Sequence, residues 1–174
     1  MMNKKYTFAT LAMSAVLGLS FAINANGEES KDPYSFAPDQ LSATDIVDTS
    51  KAAEKEFSPS PINSQGQGIA SAAAAPYYVA RSDFSGSTAE SISESFTDST
   101  KSKRKNIDHI GARTVAYLNK GFVGERSSHQ YNENQAAAIV SNIPNTIFGD
   151  GETYGHHVFE HAGYTTWYPE SYGD

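Results

Sequence analysis

NIDHIGARTVAYLNKGFV, residues 106–123, admits two readings, and the fold class follows from the choice between them. Ile107, Ile110, Thr114 and Leu118 fall on one face at helical spacing, with Gly121 placed to end a helix over 106–120. Taken as extended chain, Thr114–Leu118 and Phe122–Val123 form a hairpin around Asn119, Lys120 and Gly121. The spacing of the apolar residues favours the helix.

Towards the C-terminus, Asn132 or Asn134 is placed to cap a second helix through Ala136, Ala137, Ala138, Ile139 and Val140, stopped by Asn142 and Pro144. Tyr154–His161 and Tyr164–Tyr168 are rich in aromatic and β-branched residues and are separated by Ala162 and Gly163. They predict a hairpin, with Pro169 ending its second strand or marking an edge. The expected fold class is α+β: a small C-terminal unit over 106–174, with about two helices packed on a short antiparallel sheet or hairpin. So short a unit buries only a small core.

Towards the N-terminus the composition changes. Residues 62–105 read as a disordered Ser/Ala/Gly-rich linker ending in the basic cluster Lys101, Lys103, Arg104 and Lys105. Ser and Thr crowd Ser82–Ser102, and few large apolar groups offset an ordering cost of about 1–2 kcal/mol per residue for the backbone. Tyr77, Tyr78 and Val79 form one apolar island. In the polar region 26–61, Ser42 and Asp45 resemble a capping pair for one amphipathic helix with Ala43, Ile46, Val47, Ala53 and Phe57 near one face, stopped by Pro59 and Pro61.

Residues 1–25 read as a secretory signal peptide. Lys4 and Lys5 precede an apolar run from Phe8 to Ile23, shorter than the roughly 20 residues that span a bilayer, and Ala22 or Ala25 is placed before the cut. No second hydrophobic span follows, so the expected mature chain is secreted or extracytoplasmic, with no transmembrane segment. The basic cluster is a candidate second processing site, at or just after Lys105, which would make 26–105 a pro-region. The 174-residue chain has no cysteine, which excludes disulfides, a thiol nucleophile and thiolate ligands. Its formal net charge of −7 argues against a general nucleic-acid binder.

All five histidines lie in the C-terminal unit, at His109, His129, His156, His157 and His161. His157, Glu160 and His161 spell H-x-x-E-H, and over these five residues the chain resembles the inverted zincin metallopeptidases. That resemblance implies two imidazoles on one helix face holding Zn²⁺, with the carboxylate as general base. The surrounding residues read as a strand instead, because the segment between Gly155 and Gly163 is too short for a comfortable helix. On a strand His157 and His161 lie about 13 Å apart at roughly 3.3 Å per residue, and Glu160 faces the other way with Val158, leaving Phe159 beside the imidazoles.

A strand offers a different metal site, in which His157 and His161 meet ligands from neighbouring elements, with His109, His129, Asp150 and Glu152 as candidates. Tyr154, Tyr164, Trp167, Tyr168 and Tyr172 form a candidate binding surface, since aromatic residues bring large apolar area with a polar tip. Two functions follow. The first is a small secreted non-enzymatic protein that binds an extracellular protein or cell-surface target, as antibacterial or signalling polypeptides do, released or not from a pro-region. The second is a small secreted metal-dependent hydrolase using the His/Glu cluster.

Overall fold

Nine strands and no helix form among the described residues: β1 (Asp45–Asp48), β2 (Glu54–Phe57), β3 (Tyr77–Ser85), β4 (Thr88–Phe96), β5 (Ile107–Leu118), β6 (Gly121–Glu133), β7 (Gln135–Val140), β8 (Gly151–Glu160) and β9 (Thr166–Gly173). The structure, a computed structural model, describes residues 41–42, 44–63, 65–68, 74–144 and 150–174, all within one compact unit. One sheet has five strands in the order β1-β9-β8-β5-β6, and the other has four in the order β2-β3-β4-β7. β3 and β4 lie against β8, and β4 and β7 against β5, so the sheets stack as a sandwich. The expected α+β class is therefore replaced by an all-β one.

Residues 106–123 take the hairpin reading. β5 and β6 pair with Leu118 opposite Gly121, and Asn119 and Lys120 between them have φ of 51° and 66°. Positive φ at both central residues is what a two-residue type I′ turn requires, and its twist matches that of the strands. The helical spacing misled because β5, a central strand between β8 and β6, carries apolar residues on both faces, Ala112 and Ala116 inward and Val115 and Tyr117 outward, so they do not alternate simply.

The expected alanine helix is β7. Ala136, Ala138 and Val140 face inward, while Ile139 is 46% exposed. Alanine serves here by its size. The sheets approach so closely that a Cβ on Gly173 would lie 2.7 Å from the backbone of Asp83. The asparagines expected to cap that helix instead fix the corner where the chain leaves one sheet for the other. Asn106 Nδ2 donates to the Asn132 carbonyl at 2.7 Å, and Asn134 Nδ2 to Asn106 Oδ1 at 2.6 Å.

The helix expected over Ser42–Phe57 is also corrected. The Ser42 amide donates to the Asp45 carboxylate at 2.6 Å and the Asp45 amide to the Ser42 carbonyl at 3.0 Å, yet this turn leads into β1, which pairs in parallel with β9. A further correction concerns 62–105, where β3 and β4 form a hairpin turning at Gly86 and Ser87. The basic cluster is tied down: Lys101 pairs with Glu54 and Glu56, Arg104 with Glu94, and Lys105 Nζ donates to the Ala74 carbonyl at 3.0 Å. A boundary at 105/106 would divide the core, because Tyr78 and Ala80 of β3 pack with Ile110, Phe159 and Trp167. A hairpin centred on Gly163, at φ 81°, does form as β8 and β9, but the strands stop at Glu160 and resume at Thr166, so its connection runs over 161–165 and not over Ala162 and Gly163 alone. Pro169 lies within β9 between β1 and β8 and does not end it.

Residues 1–25, expected to be a signal peptide cut after Ala22 or Ala25, lie outside the described residues. No helix among the described residues is long and apolar enough to cross a membrane.

Candidate functional site

The interior and the outer face of the five-stranded sheet carry different chemistry, and strand alternation decides which residue goes where. On β8, Thr153, Gly155, His157 and Phe159 point between the sheets, while Glu152, Tyr154, His156, Val158 and Glu160 point outward; on β5, Ala112, Thr114 and Ala116 point in and Arg113, Val115 and Tyr117 point out.

Two apolar clusters fill the ends of the interior. One is built on Tyr78, Ile110, Phe159 and Trp167, and the other on Ala89, Ala116, Val140 and Ile143. Between them runs a polar seam. Ser91 Oγ lies 2.8 Å from Ser82 Oγ, which lies 2.6 Å from Ser171 Oγ, which lies 2.7 Å from His157 Nε2. His157 Nδ1 is 2.9 Å from Ser93 Oγ, and Ser93 donates to the Gly111 carbonyl at 2.6 Å. Since each hydroxyl has one proton, these contacts order the chain. Ser93 has used its proton, so His157 Nδ1 donates to it; Nε2 then accepts from Ser171, which accepts from Ser82, which accepts from Ser91.

His157 is 1% exposed, and burial drives its pKa down to about 3, with the neighbouring charges of His156 and Lys55 acting in the same direction. A Ser–His contact of this length resembles an activated nucleophile, but this one is sealed between sheets and its imidazole is held neutral. The seam is structural.

The outer face has two clusters in successive rows. Nearer the β8–β9 turn, His109 Nδ1 meets Glu160 Oε2 at 2.9 Å, and His109 Nε2 meets His129 Nδ1 at 2.9 Å. Tyr168 donates to Glu160 Oε1 at 3.0 Å, and the Tyr131 ring stacks on His109 at 4.7 Å. The His109 bond, with the Tyr168 bond behind it, holds the Glu160 carboxyl below the usual range, while burial and the nearby His109 lower His129.

Further along lie three cross-strand pairs, Arg113 with His156, Val115 with Tyr154, and Tyr117 with Glu152. Together with Lys120 in the turn they line an open cleft of about 440 Å³. Val115 is its floor. Tyr154 stands edge-on to Tyr117 at 5.6 Å and to Tyr172 at 5.1 Å, and Lys51 Nζ lies 5.5 Å from the Tyr154 ring centre. Arg113 Nη2 donates to Glu125 Oε2 at 2.8 Å, and His156 Nδ1 lies 3.5 Å from Glu170 Oε1.

The expected metal candidates are thus dispersed. His109 and His129 meet, but His157 points into the core, and His161 stacks on Tyr164 at 5.5 Å with Nδ1 3.3 Å from Asp108 Oδ2. Asp150 sits beside Asn119 and Glu152 in the cleft. Among the described residues no three His, Asp or Glu side chains converge on one point. The H-x-x-E-H residues lie on and just past a strand, with His157 and Glu160 on opposite faces.

Of the expected binding tyrosines, Tyr154 and Tyr172 reach the open face. Trp167 is 2% exposed and stacks between Phe57 and Phe159, and Tyr164 and Tyr168 are also buried. Arg113, Val115, Tyr117, Lys120 and His156 were missed as site residues, although once β5 is read as a strand, alternation from Tyr117 back to Arg113 reveals them. No protein family matches this chain, and comparison with characterised proteins and with solved structures finds no similar one.

Proposed function

We propose that the chain is an extracytoplasmic, non-enzymatic binding module whose ligand docks on the outer face of the five-stranded sheet. The observation that carries this reading is the cleft over β5 and β8: about 440 Å³, an apolar floor, tyrosine walls and charged groups at both ends. Ligand pockets usually fall within roughly 300–1,000 Å³ and combine apolar lining with a few placed polar groups. The signal-like N-terminus supplies the extracytoplasmic part of the proposal, and the target is an extracellular or cell-surface molecule. Release of 106–174 alone is not part of it, because those residues share their core with β2 and β3. The hydrolase reading lacks support in the geometry, as His157 and Glu160 face opposite sides of their sheet.

An array of immobilised oligosaccharides and peptides, probed with the mature chain and with a Tyr117→Ala/Tyr154→Ala variant of matching circular dichroism, tests the proposal. The expected result is a ligand retained by the parent, lost by the variant and recovered chemically intact by mass spectrometry. A ligand recovered cleaved, or held equally by both proteins, overturns it.

A further inference from the structure

We infer that the ligand of this cleft is a short neutral saccharide, an inference that rests on the binding role proposed above. The first argument is charge. Arg113 faces Glu125 at 2.8 Å, His156 faces Glu170 at 3.5 Å, and the far end of the cleft holds both Lys120 and Glu152. Each end presents a basic group with a carboxylate, so a ligand of either charge meets its own sign wherever it meets the opposite one, and like-charge contacts count heavily against a partner. Neutral ligands escape that conflict.

The second argument is hydrogen-bond type. Guanidinium and ammonium groups only donate and carboxylates only accept, whereas a hydroxyl does both and can bridge an adjacent basic group and carboxylate. A polyhydroxylated ligand matches both ends, whereas an apolar one offers neither a donor nor an acceptor to either. The third argument is the middle of the cleft, where Val115 and the rings of Tyr117 and Tyr154 offer apolar surface to the C–H face of a sugar ring. Along β5, Arg113 to Tyr117 covers about 13 Å at roughly 3.3 Å per residue, room for a short oligomer. An extended peptide is a poorer fit, because β5 and β8 are each paired on both sides and offer no main-chain groups for strand addition.

Calorimetric titration of the full mature chain with neutral oligomers of glucose, xylose and N-acetylglucosamine, and with uronic-acid oligomers of equal length, tests the inference. One neutral series should bind, at least tenfold more weakly to Tyr154→Ala and to the nearly isosteric Glu152→Gln, with little change between low and high salt. Uronate binding that Tyr154→Ala loses and salt suppresses would overturn the neutral-saccharide inference and leave the binding role standing. So would a peptide ligand lost in the same variant. Failure of every neutral series also overturns it, and ligands held equally by parent and variant remove both conclusions.

Discussion

His157 and His109 sit on adjacent strands, and each has both ring nitrogens engaged, but by partners of opposite character. Between the sheets His157 meets two serine hydroxyls, neutral groups whose proton order is fixed as far as Ser91 in one direction and the Gly111 carbonyl in the other. On the outer face His109 lies between a carboxylate and a second imidazole, with solvent near. A proton added to His157 would have no buried counter-charge and would force Ser171, Ser82 and Ser91 to reverse their donation. A proton on the outer chain meets Glu160. The contrast separates a histidine that joins two sheets through neutral groups from one that links charged and titratable groups on an open face.

Removing each in turn is the most direct way to break the comparison. His157→Ala leaves Ser93 and Ser171 without their partner and opens a cavity between the sheets, which together should cost about 3–5 kcal/mol. His109→Ala, at a site that solvent reaches, should cost about 1–2 kcal/mol. Urea unfolding at neutral pH measures both, and equal losses would mean that the seam is no more structural than the surface chain.

Acid sharpens the comparison next. The His157 pKa is lowered from 6.5 to about 3 in the folded chain, so below pH 6.5 the unfolded chain takes up a proton that the folded chain refuses. Its stabilisation is therefore complete above about 6.5 and lost as pH falls towards 3, at about 1.4 kcal/mol per pH unit, or about 2 kcal/mol between pH 6.5 and 5. His129, also lowered, adds a smaller slope of the same sign, and Glu160 acts only below its ordinary 4.5. Urea midpoints followed from pH 7 to 5 should fall in the parent and flatten in His157→Gln, which keeps an amide in the seam without titrating. An unchanged slope in that variant would assign the acid sensitivity elsewhere.

The serines give a third contrast. Ser93→Ala removes the acceptor for His157 and the donor to Gly111, at about 1–3 kcal/mol, whereas Ser99→Ala in the exposed β4–β5 connection should stay within about 0.5 kcal/mol. Thermal unfolding of the two variants decides this, and a silent Ser93→Ala would mean that the buried hydroxyls of β4 add nothing to the fold. These same serines explain what the sequence concealed. Counting large apolar groups made 82–102 look unable to fold, because such a count gives no weight to hydroxyls that bury by bonding one another. Legible in advance were the β8–β9 hairpin, the extended state of His157–Glu160, and Tyr154 and Tyr172 as outward aromatics. The alanines of β7 were hidden because small residues signal both helix propensity and close sheet packing, and only the partner sheet distinguishes them. The cleft was hidden with β5, whose apolar residues on both faces imitate helical spacing.

The smallest effect concerns Glu160 and tests the outer chain alone. Glu160→Gln keeps the shape of the side chain and a carbonyl oxygen for Tyr168, and so should change stability by no more than about 1 kcal/mol at pH 7. Its electrostatic consequence is specific. His129 is held below its ordinary value by burial and by His109, and the Glu160 charge partly offsets both. With that charge gone, the His129 titration followed by NMR of the imidazole protons should move to still lower pH, while His157, sealed among hydroxyls on the other face of the sheet, should remain neutral across the accessible range as before. A His129 midpoint that stays fixed in Glu160→Gln would show that Glu160, His109 and His129 do not act as one chain, and the outer histidines would then be independent surface groups.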